Sequence, residues 1–89
     1  MATVRLDGML SRYVPRTGLS SSAESVGALL DELEDRYPPL RHRIRDETHR
    51  IRPFVKVFVN GEEIPSDGAI EHPVRRTDSV EILHSIQGG

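Results

Sequence analysis

Residues 54–64 read FVKVFVNGEEI, and no other stretch of the chain constrains the architecture so tightly. Valine and phenylalanine alternate around Lys56 over six residues, the composition and period of a β-strand. Asn60-Gly61 follows, a pair that tolerates the positive φ angles of a two-residue hairpin turn, and Glu62 to Ile64 supplies a short return strand. If Val55, Val57 and Val59 point toward a core, Phe54, Lys56 and Phe58 point away from it.

A second apolar strand lies downstream. VEILHSI, residues 80–86, places Val80 and Ile82 inward and Glu81 and Leu83 outward. Upstream, TVRL puts Val4 and Leu6 on one face of a first strand. Asp7-Gly8 could close a tight turn, but MLSRYVPRTG continues irregularly, with Pro15 and Gly18 as breakers. A long loop and a short, polar edge strand around Thr17 to Ser21 are expected there.

Between these strands lies a helix. Val26, Leu29, Leu30, Leu33 and Tyr37 form one apolar stripe at helical spacing. Ser20 to Ser22 and Ser25 offer N-caps, Ser21 and Glu24 have capping-box spacing, and Pro38-Pro39 end the element. LRHRIRDETHRI is expected to add a helical turn or an irregular connection. The order is strand, edge strand, helix, strand, short strand, long connection, final strand. One helix covers one face of a four- to five-stranded mixed sheet, an α+β two-layer domain. The last strand, among the most apolar, belongs in the middle, parallel to the first because the crossover helix separates them. This is the order of the ubiquitin-like β-grasp.

Composition narrows the function. The 89 residues fit one domain, taken as residues 1–84 with a flexible tail at 85–89. Cysteine is absent, which excludes disulfides, thiolate metal sites and persulfide chemistry on a side chain. A net charge of −2 argues against nucleic-acid binding. No apolar run approaches the roughly 18 residues of a membrane span, and the N-terminus lacks a signal architecture, so a cytoplasmic location is expected. Acidic DELEDR (31–36) and basic RHRIRDETHRIR (41–52) read as two solvated faces. Asp31 and Glu34 are expected on the exposed side of the helix. His42, His49, His72 and His84 show no metal-ligand spacing. No nucleophile elbow or phosphate-binding glycine loop occurs.

The sequence finishes SIQGG, with two glycines that close no turn and cap no helix. Glycine there gives room for another backbone to approach, and the backbone approached would be a partner's.

Four stretches together resemble the ubiquitin-like sulfur-carrier proteins, among them the small subunit of molybdopterin synthase (MoaD) and the thiamin sulfur carrier (ThiS). SVGALLDELEDRYPPLRHRI (25–44) is similar to the family's helix and the segment after it. FVKVFVNGEEI is similar to its hairpin, RTDSVEIL (76–83) to its entry into the last strand, and VEILHSIQGG to its ending. The long connection after the helix is most like that of the cysteine and secondary-metabolite carriers. His84 stands where the family often has proline, and Arg76-Thr77 where it has a glycine.

The resemblance implies that Gly89 supplies the reactive α-carboxylate, while Gly88 lets the tail thread a narrow channel. An E1-like adenylyltransferase would activate the carboxylate, a sulfur-donor protein would convert it to a thiocarboxylate, and a biosynthetic acceptor enzyme would consume the sulfur. ATP and Mg²⁺ would sit on the activating enzyme, so the chain itself binds no cofactor or metal and is not an enzyme. Molybdopterin, thiazole, cysteine, a thiolated tRNA and a secondary metabolite all fit as the sulfur's destination, thiazole least because thiamin carriers are shorter. Phe58 and Leu83 form the expected partner patch, with Ile86 and Gln87 anchoring the tail. The alternative is a ubiquitin-like modifier joined to target lysines through Gly89. The single lysine of this chain, Lys56, weighs against self-built polymers.

Overall fold

The computed structural model describes residues 1–14 and 19–84. Five strands form one mixed sheet: β1 (Ala2–Gly8), β2 (Leu19–Ser21), β3 (Val55–Val59), β4 (Glu62–Ile64) and β5 (Ser79–His84). Their order across the sheet is β2-β1-β5-β3-β4. One helix, α1 (Val26–Arg36), covers one face. The expected β-grasp is therefore present, with the final strand in the middle.

Register explains how the alternation builds the core. β5 runs parallel to β1, pairing Val80 with Val4 and Ile82 with Leu6. It runs antiparallel to β3, pairing Val80 with Val59 and Ile82 with Val57. Two rows result on the helix-facing side, Val4-Val80-Val59 and Leu6-Ile82-Val57, and all six side chains are buried. Val26, Leu29, Leu30 and Leu33 close over them with no exposed surface. Each such burial stabilises the fold by roughly 1.5–3 kcal/mol relative to an exposed side chain.

The Asn60-Gly61 turn has φ of 54° and 83°, both positive as this hairpin requires. Asn60 does more than turn the chain. Its Nδ2 donates to Asp78 at 2.9 Å and its Oδ1 accepts from the Ser79 N–H at 2.9 Å. The hairpin is thus tied to the root of β5.

Of the serines offered as N-caps, Ser25 caps α1, its Oγ accepting from the Ala28 N–H at 3.2 Å. Other expectations need correction, the Ser21–Glu24 capping box first. Ser21 is the last residue of β2, where its buried hydroxyl donates to Glu32 at 2.6 Å and accepts from the Ala23 N–H at 3.0 Å. The edge strand is present at Leu19–Ser21, and residues 17 and 18 of the expected span lie outside the described residues. Met9–Tyr13, expected to be irregular, is a 3-10 helix that buries Leu10.

The connection after α1 is also more structured than its polar composition suggests. Pro38–Leu40 forms a 3-10 turn, and Leu40 and Ile44 are fully buried. Arg45 and Ile51 form an isolated bridge. The Asp46 carboxylate accepts from the Thr48 N–H, the Thr48 hydroxyl and the Arg50 N–H, holding the tip. Those bonds, led by the Thr48 hydroxyl, lower the pKa of Asp46. No helix among the described residues is long and apolar enough to cross a membrane.

The charge runs are not two solvated faces. Arg45, 4% exposed, donates to Glu34 at 3.1 and 2.9 Å and to Asp31 at 2.8 Å. Arg41 reaches Asp35 at 3.6 Å. Basic loop and acidic helix are partners. Asp31 is exposed as expected, but the Glu34 side chain retains only 15% exposure beneath Arg45. Burial works against the Arg45 charge, yet its bonds to the two carboxylates more than offset this and raise its pKa.

Candidate functional surface

The face of the sheet away from α1 carries the outward residues of three strands. β5 and β3 pair Glu81 with Phe58 and Leu83 with Lys56. β1 and β5 pair Arg5 with Glu81 and Asp7 with Leu83. One row therefore reads Arg5-Glu81-Phe58-Glu63 and the next Asp7-Leu83-Lys56, with Glu63 supplied by β4. Phe58 and Leu83 are diagonal neighbours, within reach of an aromatic side chain. Both are half-buried, and charged residues flank each of them. The expected register holds, but the apolar patch is a narrow diagonal in a charged field.

The charges of this face are mostly paired, along β1 and between β3 and β4. Arg5 lies 3.2 Å from Asp7, and Lys56 lies 3.6 Å from Glu63. Exposed pairs like these add little stability. Glu81 sits beside Asp7, and the hydrogen bond between the two carboxyl groups raises its pKa, with burial and like charge adding to the effect and Arg5 opposing it.

At the end of the sheet where β5 stops, Phe54 lies in the turn before β3 and is 37% exposed. Its ring leans on His84, the centroids 5.5 Å apart at 54°. A cavity of about 210 Å³ opens here, bounded by the Met9–Tyr13 turn, the connection after α1 and His84. The Arg43 guanidinium stacks over the Tyr13 ring at 4.3 Å. The Nδ1 atom of His84 is buried and has no hydrogen-bond partner among the described residues.

Gly8 shows how tightly this end is built. Its φ is +68°, and a Cβ there would lie 2.5 Å from the His84 carbonyl oxygen. Only glycine lets β1 run alongside β5 to its last pair.

The structure brings Phe58 and Leu83 together. Ile86, Gln87, Gly88 and Gly89 lie outside the described residues. Sequence reasoning did not single out Tyr13, Arg43, Arg52 or the Phe54–His84 contact. A hint existed in the spacing of arginines within 41–52, but which of them pair with the helix is decided only by the tertiary fold. The histidines do not gather with other ligands: no group of three or more potential metal-binding side chains occurs among the described residues.

Comparison with known proteins agrees with this architecture. The sulfur carrier protein CysO of Mycobacterium tuberculosis is 31% identical over an alignment of 81 positions, and the match covers 84% of this chain and 87% of the relative. A chain of the BexX/CysO complex of Amycolatopsis orientalis superposes with a TM-score of 0.85 at 24% identity, covering all of both chains. The small archaeal modifier protein 1 of Methanosarcina acetivorans also gives 0.85 at 24% identity, covering 99% of this chain and 95% of that one. These two likenesses carry the fold alone. The profile of the ThiS family matches residues 10–89, nearly the whole chain, and the protein belongs to that family.

Proposed function

We propose that the protein is a sulfur carrier whose Gly89 α-carboxylate is the working group. An adenylating enzyme would join that carboxylate to AMP, releasing pyrophosphate. Hydrosulfide delivered by a donor protein would then attack the acyl carbon, so that a C–S bond forms as the C–O bond to AMP breaks, with AMP leaving and the proton passing to solvent. The resulting thiocarboxylate is a soft nucleophile for a biosynthetic acceptor enzyme. The carrier contributes the substrate group and a docking face, and catalysis belongs to its partners.

The observation that carries this reading is the family match, which extends through Gly89 and joins a relative named as a sulfur carrier. The fold supports it mechanically. β5 is the central strand, paired on both sides, and His84 is its last described residue, so the tail is joined to the middle of the sheet. Phe58 and Leu83 lie on that strand and its neighbour, where a partner gripping the tail would also touch them. A cytoplasmic location and a partner set of activating, donor and acceptor enzymes belong to this proposal.

A modifier joined to lysines through Gly89 is the second reading, favoured by the shared fold of the archaeal modifier protein. Intact-mass measurement after incubation with ATP, Mg²⁺, sulfide and the cognate adenylating enzyme separates the two. Exchange of one oxygen for one sulfur is the expected result. A ladder of conjugates on other proteins supports the modifier. Normal sulfur loading of a chain lacking Gly89 sinks both.

A further inference from the structure

The cavity at the end of the sheet has no task in the tail chemistry. At about 210 Å³ it is smaller than the roughly 300–1,000 Å³ of sites that enclose small molecules. It is too small to enclose a nucleotide, whereas a protruding side chain fits. Two aromatic rings, Tyr13 and Phe54, and four basic groups, His42, Arg43, Arg52 and His84, line it, and no carboxylate of the described residues does. That is a local reversal in a chain whose net charge is −2.

The two arginines are held but not neutralised. Arg43 donates from Nε to the Pro39 carbonyl at 2.8 Å, and Arg52 from Nε to the His42 carbonyl at 2.7 Å. Neither forms an ion pair among the described residues, unlike Arg41 and Arg45 of the same connection. Asp46 feels the charge of Arg52, but its carboxylate is already committed to Thr48 and Arg50. With Nε anchored, and Arg43 stacked on Tyr13, the forked ends are positioned before any ligand arrives. Little side-chain freedom is left to lose on binding.

We propose that this cavity receives an acidic segment of the enzyme that handles the tail, one carboxylate entering between Arg43 and Arg52 while an apolar neighbour rests on exposed Phe54. The inference builds on the sulfur-carrier reading and adds the chemistry of the partner. Arginine beside aromatic rings is the composition of interface hot spots. The location fits as well, since the cavity borders His84, the last described residue before the tail. Complementary charge here would orient the carrier on its enzyme before the tail engages.

Two measurements test this separately from sulfur loading. The first is a resonance titration of the free protein with a terminally blocked peptide of alternating glutamate and leucine. Amides of Tyr13, Phe54 and His84 should shift saturably, and the glutamine counterpart should leave them unmoved. Replacing Arg43 and Arg52 with alanine should remove the effect, while Arg75→Ala with Arg76→Ala should preserve it. Equal losses from both pairs overturn the proposal, because they mean a general charge effect. Should the alanine variants unfold, the wild type still decides: binding must weaken with added salt, and salt-independent binding overturns the proposal.

The second measurement uses the adenylating enzyme. Arg43→Glu should raise the KM for the carrier about tenfold with kcat unchanged, the pattern of lost docking. An unchanged KM, with wild type loading normally, overturns the cavity's role and leaves the carrier reading intact. If wild type fails to load, the carrier reading falls and the peptide titration judges the cavity alone.

Discussion

Arg45 grips Glu34 with two hydrogen bonds, from Nε at 3.1 Å and Nη2 at 2.9 Å, across 11 positions of sequence. The pair joins the connection after α1 to the helix, and the same connection supplies His42, Arg43 and Arg52 to the cavity. Arg45→Ala would leave the Glu34 carboxylate poorly solvated and unpaired. A loss of about 3 kcal/mol is expected, at the lower end of the range for broken buried pairs because Asp31 is open to water. Urea denaturation measures it. Arg45→Ala with Glu34→Gln should recover part of the loss, and no recovery would mean that packing, not charge, sets the cost.

Leu30 is fully buried at the centre of the helical stripe. Leu30→Ala should cost roughly 2–5 kcal/mol, the range for truncating a buried leucine. A loss under about half a kilocalorie would place the residue outside the core, since surface substitutions fall in that interval.

Phe58 is half-buried on the outer face, beside Leu83 on the diagonal. Phe58→Ala should weaken the complex with the adenylating enzyme by about tenfold or more, as an aromatic anchor does. Thermal stability should change only modestly. A variant that unfolds under assay conditions would assign Phe58 to the core and remove it from the docking face.

Acid should destabilise the fold through two aspartates. Bonds from Thr48 and Arg50 lower the pKa of Asp46. The Arg75 N–H and the Asn60 side chain lower that of Asp78. The unfolded chain therefore binds protons first as pH falls through the ordinary aspartate value of 3.8, and stability declines below it. Glu81 works in the opposite sense. Its raised value favours folding at low pH, a contribution lost as pH rises through the folded value. Denaturation across this range should show a shallower acid limb for Asp46→Asn and Asp78→Asn. Retention of the wild-type slope in both would show that these bonds do not govern it.

Periodicity made the sheet and helix legible. The alternation in FVKVFV and VEIL assigned each side chain to its face, and the spacing from Val26 to Leu33 assigned the stripe. The first turn and the long connection resisted because their core residues have no period. Leu10 stands alone in a short 3-10 helix, and Leu40 and Ile44 are isolated among arginines and histidines. Arg45 could not be separated from its neighbours by sequence, since its burial depends on where Glu34 comes to lie. The outward diagonal of Phe58 and Leu83 followed from strand register alone. The basic cavity did not, because three separate segments meet to form it.

The central place of β5 has a consequence for synthesis. β1 and β3 do not touch each other across the sheet; each pairs with β5, whose Val80 must find Val4 from the other end of the chain. A nascent polypeptide that has emerged only through residue 78 has nothing to seat between them, and its unpaired strand edges stay open. Folding force on a stalled ribosome should therefore appear only after residues 79–84 clear the exit tunnel, and force before that point would refute this order of events. A translation product interrupted earlier is then an unfolded chain open to proteolysis, not a folded but tailless competitor for the carrier's enzymes.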